Sequence, residues 1–377
     1  MKRLYHQLIK SHLKEFRQML FLAGPRQVGK TTTSMDLSSD VKHFFYFNWD
    51  NQIDRNTIIK GPHAVTEQME LNEIREGKTL VVFDEIHKYG KWKQFLKGFF
   101  DLFGSRCQII VTGSAKLNIY KAGGDSLMGR YFLYRIHPLT VAEILHQNLP
   151  KQEIRPPKKI LRDEMDDLLN FGGFPEPFLK KNRRFSLHWQ RLRQEQLVKE
   201  DIRDGSRIQE IAQLEMLCQT LKLHIGQLLN YNTLANHINV SAPTIKRWLS
   251  VLELFYFCFH IKPWTKNVKR TLKKEPKYYL WDWSIIVDLG ARVENFVALH
   301  LKKAVHFWTD YGFGEYELFF LRDKSKLEVD FLVTKNGTPW FLVEVKTSKN
   351  SGITKGLYQF QEQTGAAHAF QVVYDMD

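Results

Sequence analysis

Gly24-Pro25-Arg26-Gln27-Val28-Gly29-Lys30-Thr31 satisfies the spacing GxxxxGK[ST] at every position. Residues 18–23 (QMLFLA) before it read as a buried strand, and the periodicity after it predicts a helix opening near Lys30. Strand, glycine loop and helix in that order make a cradle for phosphate. The loop amides surround phosphate oxygens, and the helix adds the positive end of its dipole. Gly24 and Gly29 allow backbone angles and a close approach that a Cβ would block. The expected cradle comprises Gly24, Pro25, Arg26, Gln27, Val28, Gly29, Lys30, Thr31 and the adjoining Thr32. Within it Lys30 would reach the β- and γ-phosphates of a nucleotide, and Thr31 would ligate Mg²⁺.

Working outward, residues 43–49, 80–83, 108–112 and 131–136 are further short apolar or β-rich runs, separated by stretches of helical spacing. Alternation of this kind predicts an α/β fold with a parallel sheet covered on both faces. The run at 80–83 (LVVF) ends in Asp84-Glu85. Beside a phosphate loop, Asp84 would hold the Mg²⁺ water shell and Glu85 would polarise the attacking water. Such a pair can also be a solvated turn. Ser114 follows the strand at 108–112 and would sense the γ-phosphate or orient water, a role Thr112 could share; a helix N-cap is the other reading. Arg130 stands just ahead of the fifth strand, either structural or positioned to stabilise negative charge in a neighbouring subunit.

The motifs at 24–31 and 84–85 resemble those of the AAA+ ATPases over roughly residues 1–150. The resemblance implies a three-layer P-loop fold, strand order 5-1-4-3-2, and homo-oligomers bridged by an arginine finger, placed here at Arg130.

The whole chain has 377 residues, enough for two or three domains, and its 43% apolar and 25% charged content is that of a globular protein. Global disorder is excluded. No apolar run approaches the roughly 18–20 residues of a membrane helix, and the basic start leads into no secretory core. Cys107, Cys218 and Cys258 are far apart, so neither a disulfide framework nor a cysteine zinc site is expected and a cytoplasmic setting is. Lys and Arg number 55 against 41 Asp and Glu, a net +14. Such an excess favours an anionic partner such as DNA, although it also serves solubility or acidic lipid.

The Pro- and charge-rich segment 147–159 reads as a linker, which gives expected domains at 1–150, 151–275 and 276–377. The middle domain reads mainly as helix, turning β-like from 252 to 261. Phe171-Gly172-Gly173-Phe174-Pro175-Glu176-Pro177-Phe178 predicts a fixed turn, followed by the basic run Lys180-Lys181-Asn182-Arg183-Arg184. Residues 231–249 read as helix, tight turn, helix. Leu234, Ala235, Ile238, Ile245, Trp248 and Leu249 would face inward, Ser241 would cap the second helix, and Thr244, Lys246 and Arg247 would face out. With β-like runs at 255–261 and 277–281 as a wing, this resembles a winged helix-turn-helix, used for DNA, for protein contacts or as an ATPase lid. Lys262, Lys266, Lys269, Arg270, Lys273 and Lys274 between those runs would strengthen phosphate binding without reading bases.

Near the C-terminus, strands are expected at 327–333 and 340–345, with a helix near 294–301. Alternation places Glu344 and Lys346 on one face. If the strands are neighbours, Asp330 approaches Glu344, and together with Glu294 they would hold Mg²⁺ or Mn²⁺ while Lys346 orients water. This D…ExK pattern resembles the PD-(D/E)xK nucleases and implies an α+β restriction-endonuclease-like domain, active or inactive. The order of the phosphate loop, the Gly-Gly-Phe-Pro-Glu-Pro turn, Lys277-Tyr278-Tyr279-Leu280-Trp281-Asp282 and the EVDF…EVK ending is similar to that of prokaryotic AAA+ proteins with a C-terminal domain of unknown function 4143. The expectation is an Mg²⁺-dependent ATPase acting on DNA. A nucleotide-gated switch with an inactive nuclease-like domain, or a remodeller of partner proteins, is the alternative.

Overall fold

The computed structural model describes residues 3–71, 78–113, 127–145, 148–203, 206, 208–265, 275–348 and 352–375. The chain divides into two compact units, Met1–His137 with Ala142–Lys151, and Pro138–Val141 with Gln152–Asp377.

In the first unit, β1 (Met19–Ala23), β2 (His43–Asn48), β3 (Thr79–Asp84), β4 (Gln108–Gly113) and β5 (Tyr131–Arg135) form an all-parallel sheet in the order β2-β3-β4-β1-β5. This is the expected order 5-1-4-3-2. Every residue of β1 and β3 is buried, which explains why their sequences are continuous apolar runs rather than alternating ones. The helix Trp92–Phe103 buries Trp92, Phe95, Leu96, Phe99, Phe100 and Phe103, the spacing of one helical face. Its rings pack edge-on to Phe83 of β3, at 5.5 Å for Phe95 and 5.2 Å for Phe99. Because all the strands run one way, their C-terminal ends share one rim. Ala23 of β1, Asp84 of β3 and Thr112 of β4 meet there. Tyr131 pairs with Met19 at the opposite end of the sheet, and Arg130 lies at that far end.

The second unit begins with helices Arg162–Phe171, Pro175–Lys180 and Arg183–Gln196, the last continuing as a π-helix over Leu197–Ile202, and then Ile211–Leu223. The glycine-proline turn is explained by close packing. A Cβ on Gly173 would lie 2.6 Å from the Leu139 carbonyl oxygen and from the Trp283 ring, and one on Gly172 would lie 3.0 Å from Asp282 Oδ1. Two motifs far apart in sequence therefore interlock.

Tyr231–Ile238 and Ala242–Leu254 form the expected pair of helices. Asn239, at φ +60°, makes the turn, and Ser241 accepts from the Thr244 amide at 3.2 Å. The six expected apolar positions are buried. The reading at 252–261 needs correction: the helix continues to Leu254, and β6 (Cys258–Pro263) starts only afterwards. Leu252, Ile245, Trp248 and Leu249 lie on one buried helical face, and that packing extends the helix into the aromatic run.

β6 pairs antiparallel with β7 (Lys277–Leu280) and parallel with β8 (Tyr316–Arg322). β9 (Glu328–Lys335), β10 (Thr338–Ser348) and β11 (His368–Asp375) complete a mixed six-stranded sheet, β11-β10-β9-β8-β6-β7. The helices Leu289–Tyr311 and Lys355–Thr364 accompany it. Among the described residues no helix is long and apolar enough to cross a membrane.

Candidate functional site

The phosphate loop leaves β1 and turns under steric control. A Cβ on Gly24 would lie 2.2 Å from the carbonyl oxygen of Ile136, so only glycine lets the loop pass the chain leaving β5. Gly29, at φ +93°, caps the helix Lys30–Met35 in the left-handed region. The loop's carbonyls are engaged. Those of Gly24 and Pro25 accept from Lys30 Nζ at 2.9 and 2.6 Å, and that of Val28 accepts from Arg3 Nη1 at 2.7 Å. Among the described residues, no hydrogen bond takes up the N–H groups of Gln27, Val28 or Gly29. Carbonyls held and amides open make a cradle for an anion.

Lys30 is buried, and burial is the main reason its ammonium is pushed down to about 8; Glu85 and Asp84 pull the other way, and Arg26 adds to the lowering. Thr31 Oγ1 donates to Asp84 Oδ2 at 2.9 Å. Asp84 is itself buried and also accepts from the hydroxyls of Tyr46, at 2.6 Å, and Thr112. Three hydroxyls thus fix one carboxylate beside the loop. The hard oxygens of Thr31 and Asp84 suit Mg²⁺, which would neutralise phosphate charge there. Arg26, Gln27 and Thr32 are exposed around the loop, whereas Pro25 is buried.

Glu85 adopts φ +55°, a left-handed backbone that costs a non-glycine residue about 1–2 kcal/mol. Its N–H donates to the Thr112 carbonyl at 3.0 Å, and its carbonyl accepts from the Lys88 amide at 3.1 Å. Those bonds hold the strain that turns the side chain off the strand. Oε2 is buried without a hydrogen bond. Lys88 Nζ at 3.5 Å and His87 Nε2 at 3.7 Å stand back from it, and Lys88 contacts Asp50 at 2.5 Å. Burial, the leading cause, raises the Glu85 carboxyl above its ordinary range. A partly desolvated, unbonded carboxylate oxygen next to a phosphate cradle has the character of a general base.

Ser114 lies outside the described residues, as do Lys266, Lys269, Arg270, Lys273 and Lys274. Thr112 does not sit free to sense phosphate; it orients Asp84. Arg130 is bound to Asp101 of its own chain through Nε at 2.7 Å and Nη2 at 3.0 Å, at the strand end away from the loop.

Two parts of the N-terminal site were missed in the sequence. Tyr46 carries no local signal, since it is one aromatic in an aromatic strand. Arg3 is buried and bonds Glu143 Oε1 at 2.7 Å, Val28 O at 2.7 Å and His137 O at 2.5 Å. It ties the back of the phosphate loop to the segment after β5. Only the presence of an arginine before an apolar helix could have hinted at it.

In the second unit, β9 and β10 are antiparallel neighbours with Phe331 opposite Val343, so the register carries Asp330 towards Glu344. Asp330 Oδ2 accepts from the Val345 amide at 2.8 Å. Burial, and next the charge of Glu294, push Asp330 up to about 7. Glu344 and Lys346 do share a face and are 2.9 Å apart, and Glu344 also accepts from the Thr354 hydroxyl. Glu294 accepts from the Tyr279 hydroxyl at 2.8 Å and lies 3.6 Å from Lys277 Nζ. The expected ligand set of Glu294, Asp330 and Glu344 is therefore not assembled. Each acid has its own partner, and among the described residues no group of three or more His, Cys, Asp and Glu is placed to hold a metal ion. Lys277, Glu328 and Arg322, which the sequence reading did not assign, join this cluster instead.

Residues 16–145 match the family described as AAA domain. The sheet order and the phosphate cradle of these residues agree with that match. Residues 162–295 and 289–377 match two domains of unknown function, DUF8612 and DUF4143. The chain is 22% identical over 355 residues to an uncharacterized protein of Mycobacterium tuberculosis, covering 90% of this chain and 72% of the relative. It is 25% identical over 334 residues to an uncharacterized protein of Methanocaldococcus jannaschii, covering 82% and 70%. Among solved structures, AMPPCP-bound DnaA from Aquifex aeolicus aligns at 15% identity and a TM-score of 0.34, over 66% of this chain and 87% of that one.

Proposed function

We propose that the AAA domain binds ATP with Mg²⁺ and hydrolyses it, and that the C-terminal unit engages DNA. The observation that carries the ATPase reading is the hydrogen bond from Thr31 to Asp84 beside a loop whose carbonyls are held and whose amides are open. In this reading the triphosphate displaces Lys30 Nζ from the Gly24 and Pro25 carbonyls. The ammonium then pairs with the β- and γ-phosphates, while the loop amides hold phosphate oxygens. Mg²⁺ at Thr31 and Asp84 would supply charge neutralisation. Glu85 takes a proton from the attacking water and is suited to it by its raised basicity. Arg130 would serve a neighbouring subunit only after leaving Asp101.

DNA engagement is supported by the capped helix pair, whose second helix exposes Lys246 and Arg247, and by the net charge of +14. In a winged-helix arrangement the second helix enters the major groove. The test is ATP turnover and DNA affinity measured on one preparation. Glu85→Gln is expected to keep ATP binding while turnover falls about 10²–10⁴-fold. DNA affinity should fall steeply with salt, because phosphate contacts release counterions. Undiminished turnover in Glu85→Gln removes its assigned role, and no DNA binding at low salt favours a protein partner.

A further inference from the structure

A cluster of acids in the second unit is already supplied with a cation by the chain itself. Lys277 opens β7, and its side chain is only 3% exposed. Its Nζ contacts Glu328 Oε1, lies 3.6 Å from Glu294 Oε1, and sits 5.4 Å from the centre of the Phe320 ring. The acids come from two elements: Glu294 from the helix Leu289–Tyr311, and Glu328 with Asp330 from alternate positions of β9. Each acid is also held from outside. Tyr279 donates to Glu294, Arg322 bonds Glu328 Oε2 at 2.5 Å, and the Val345 amide donates to Asp330. Gly226 closes the fourth side, since a Cβ there would lie 2.5 Å from Glu294 Oε1.

A buried ammonium is tolerated only when paired, and so is a buried carboxylate. Here each satisfies the other. A divalent ion bound to the same oxygens would stand against the ammonium at contact range, with like charges in a poorly solvated place.

We propose that Lys277 is the resident cation of this cluster, occupying the place a nuclease-like site gives to a divalent metal, so that the C-terminal unit takes up no metal there and does not cut DNA. The cluster's work is then to lock β7, the long helix and β9 together. This inference rests on the nuclease-like resemblance for what the place would otherwise hold; it does not rest on DNA binding, which the salt titration reads separately.

The experiment is a titration of the nucleotide-free, full-length protein with Mn²⁺, followed by electron paramagnetic resonance, on the wild type, Asp330→Asn and Lys277→Gln. Ions bound elsewhere, including at Thr31 and Asp84, are common to the three proteins and cancel. Wild type and Asp330→Asn are expected to bind the same amount of Mn²⁺. Lys277→Gln is expected to gain a bound ion and a melting temperature that rises with Mn²⁺. Loss of a bound ion in Asp330→Asn overturns the proposal, as does a folded Lys277→Gln that gains none. If Lys277→Gln does not fold, the comparison of wild type with Asp330→Asn decides alone.

Discussion

Two buried lysines behave in opposite ways, and the contrast separates the two units. Lys30 and Lys277 are both almost fully enclosed, 7% and 2% exposed. Lys30 bonds two backbone carbonyls, with Asp84 and Glu85 acting on it only through space, so burial wins and its ammonium is held down to about 8. At Lys277 burial is also the largest single influence, but Glu294, Glu328 and Asp330 together outweigh it and raise the group. Neutral carbonyls leave a positive charge uncompensated, and such a charge attracts an anion. Carboxylates in contact compensate it, and the charge becomes structural. The same residue type thus marks a binding site in one unit and a fastener in the other.

The largest expected effect comes from removing the uncompensated charge. Lys30→Ala should abolish ATP binding in calorimetry while the protein stays folded, since only backbone carbonyls lose a partner. If affinity survives, Lys30 is as structural as Lys277 and the contrast fails.

Arg3 provides an intermediate case, a buried cation of the first unit compensated by one carboxylate and two carbonyls. Arg3→Ala takes a buried guanidinium away from the buried Glu143 carboxylate and should cost about 3–5 kcal/mol in urea denaturation. ATP affinity should fall as well, because the Val28 carbonyl is released. Arg3→Lys should recover part of the stability, since an ammonium can pair with Glu143 but cannot span all three acceptors.

The smallest effect is the pH response. The folded, nucleotide-free protein holds Lys30 near 8, below an ordinary lysine, so the unfolded chain binds that proton more tightly. Stability should therefore rise with pH from about 8 towards the ordinary lysine range. Lys277 has the opposite sign: its stabilisation is complete below the ordinary range and is lost as pH rises through its raised value. Because phosphate requires the charged form of Lys30, ATP affinity should fall above pH about 8, by at most about tenfold per unit. Calorimetry in buffers of different ionisation enthalpy should detect proton uptake on binding. A flat pH profile would mean that Lys30 is charged throughout.

The phosphate cradle was legible because it is local. Eight consecutive residues set their own backbone path, and Gly24 and Gly29 mark where it must bend or pass close. The helix pair at 231–254 was legible for the same reason, through Ser241, Pro243 and the apolar spacing, although its last turn was misread where aromatic residues suit either a helix face or a strand. Glu294, Asp330 and Glu344, expected as a metal set, are each drawn to a different partner, Tyr279, the Val345 amide and Lys346. Strand alternation correctly gave Glu344 and Lys346 a common face, but it could not say which cation each acid would meet.

The sequence by itself determined the GxxxxGK[ST] loop, the acid pair at the end of β3 and the excess of positive charge, since each depends on neighbours along the chain or on composition. Tertiary structure alone decided that Tyr46 and Thr112 converge on Asp84, that Arg3 braces Val28, and that Lys277 reaches Glu294 and Glu328. Those contacts join groups from different elements of the fold. Their geometry follows from strand register and from how helices pack on sheets, and no local pattern records either.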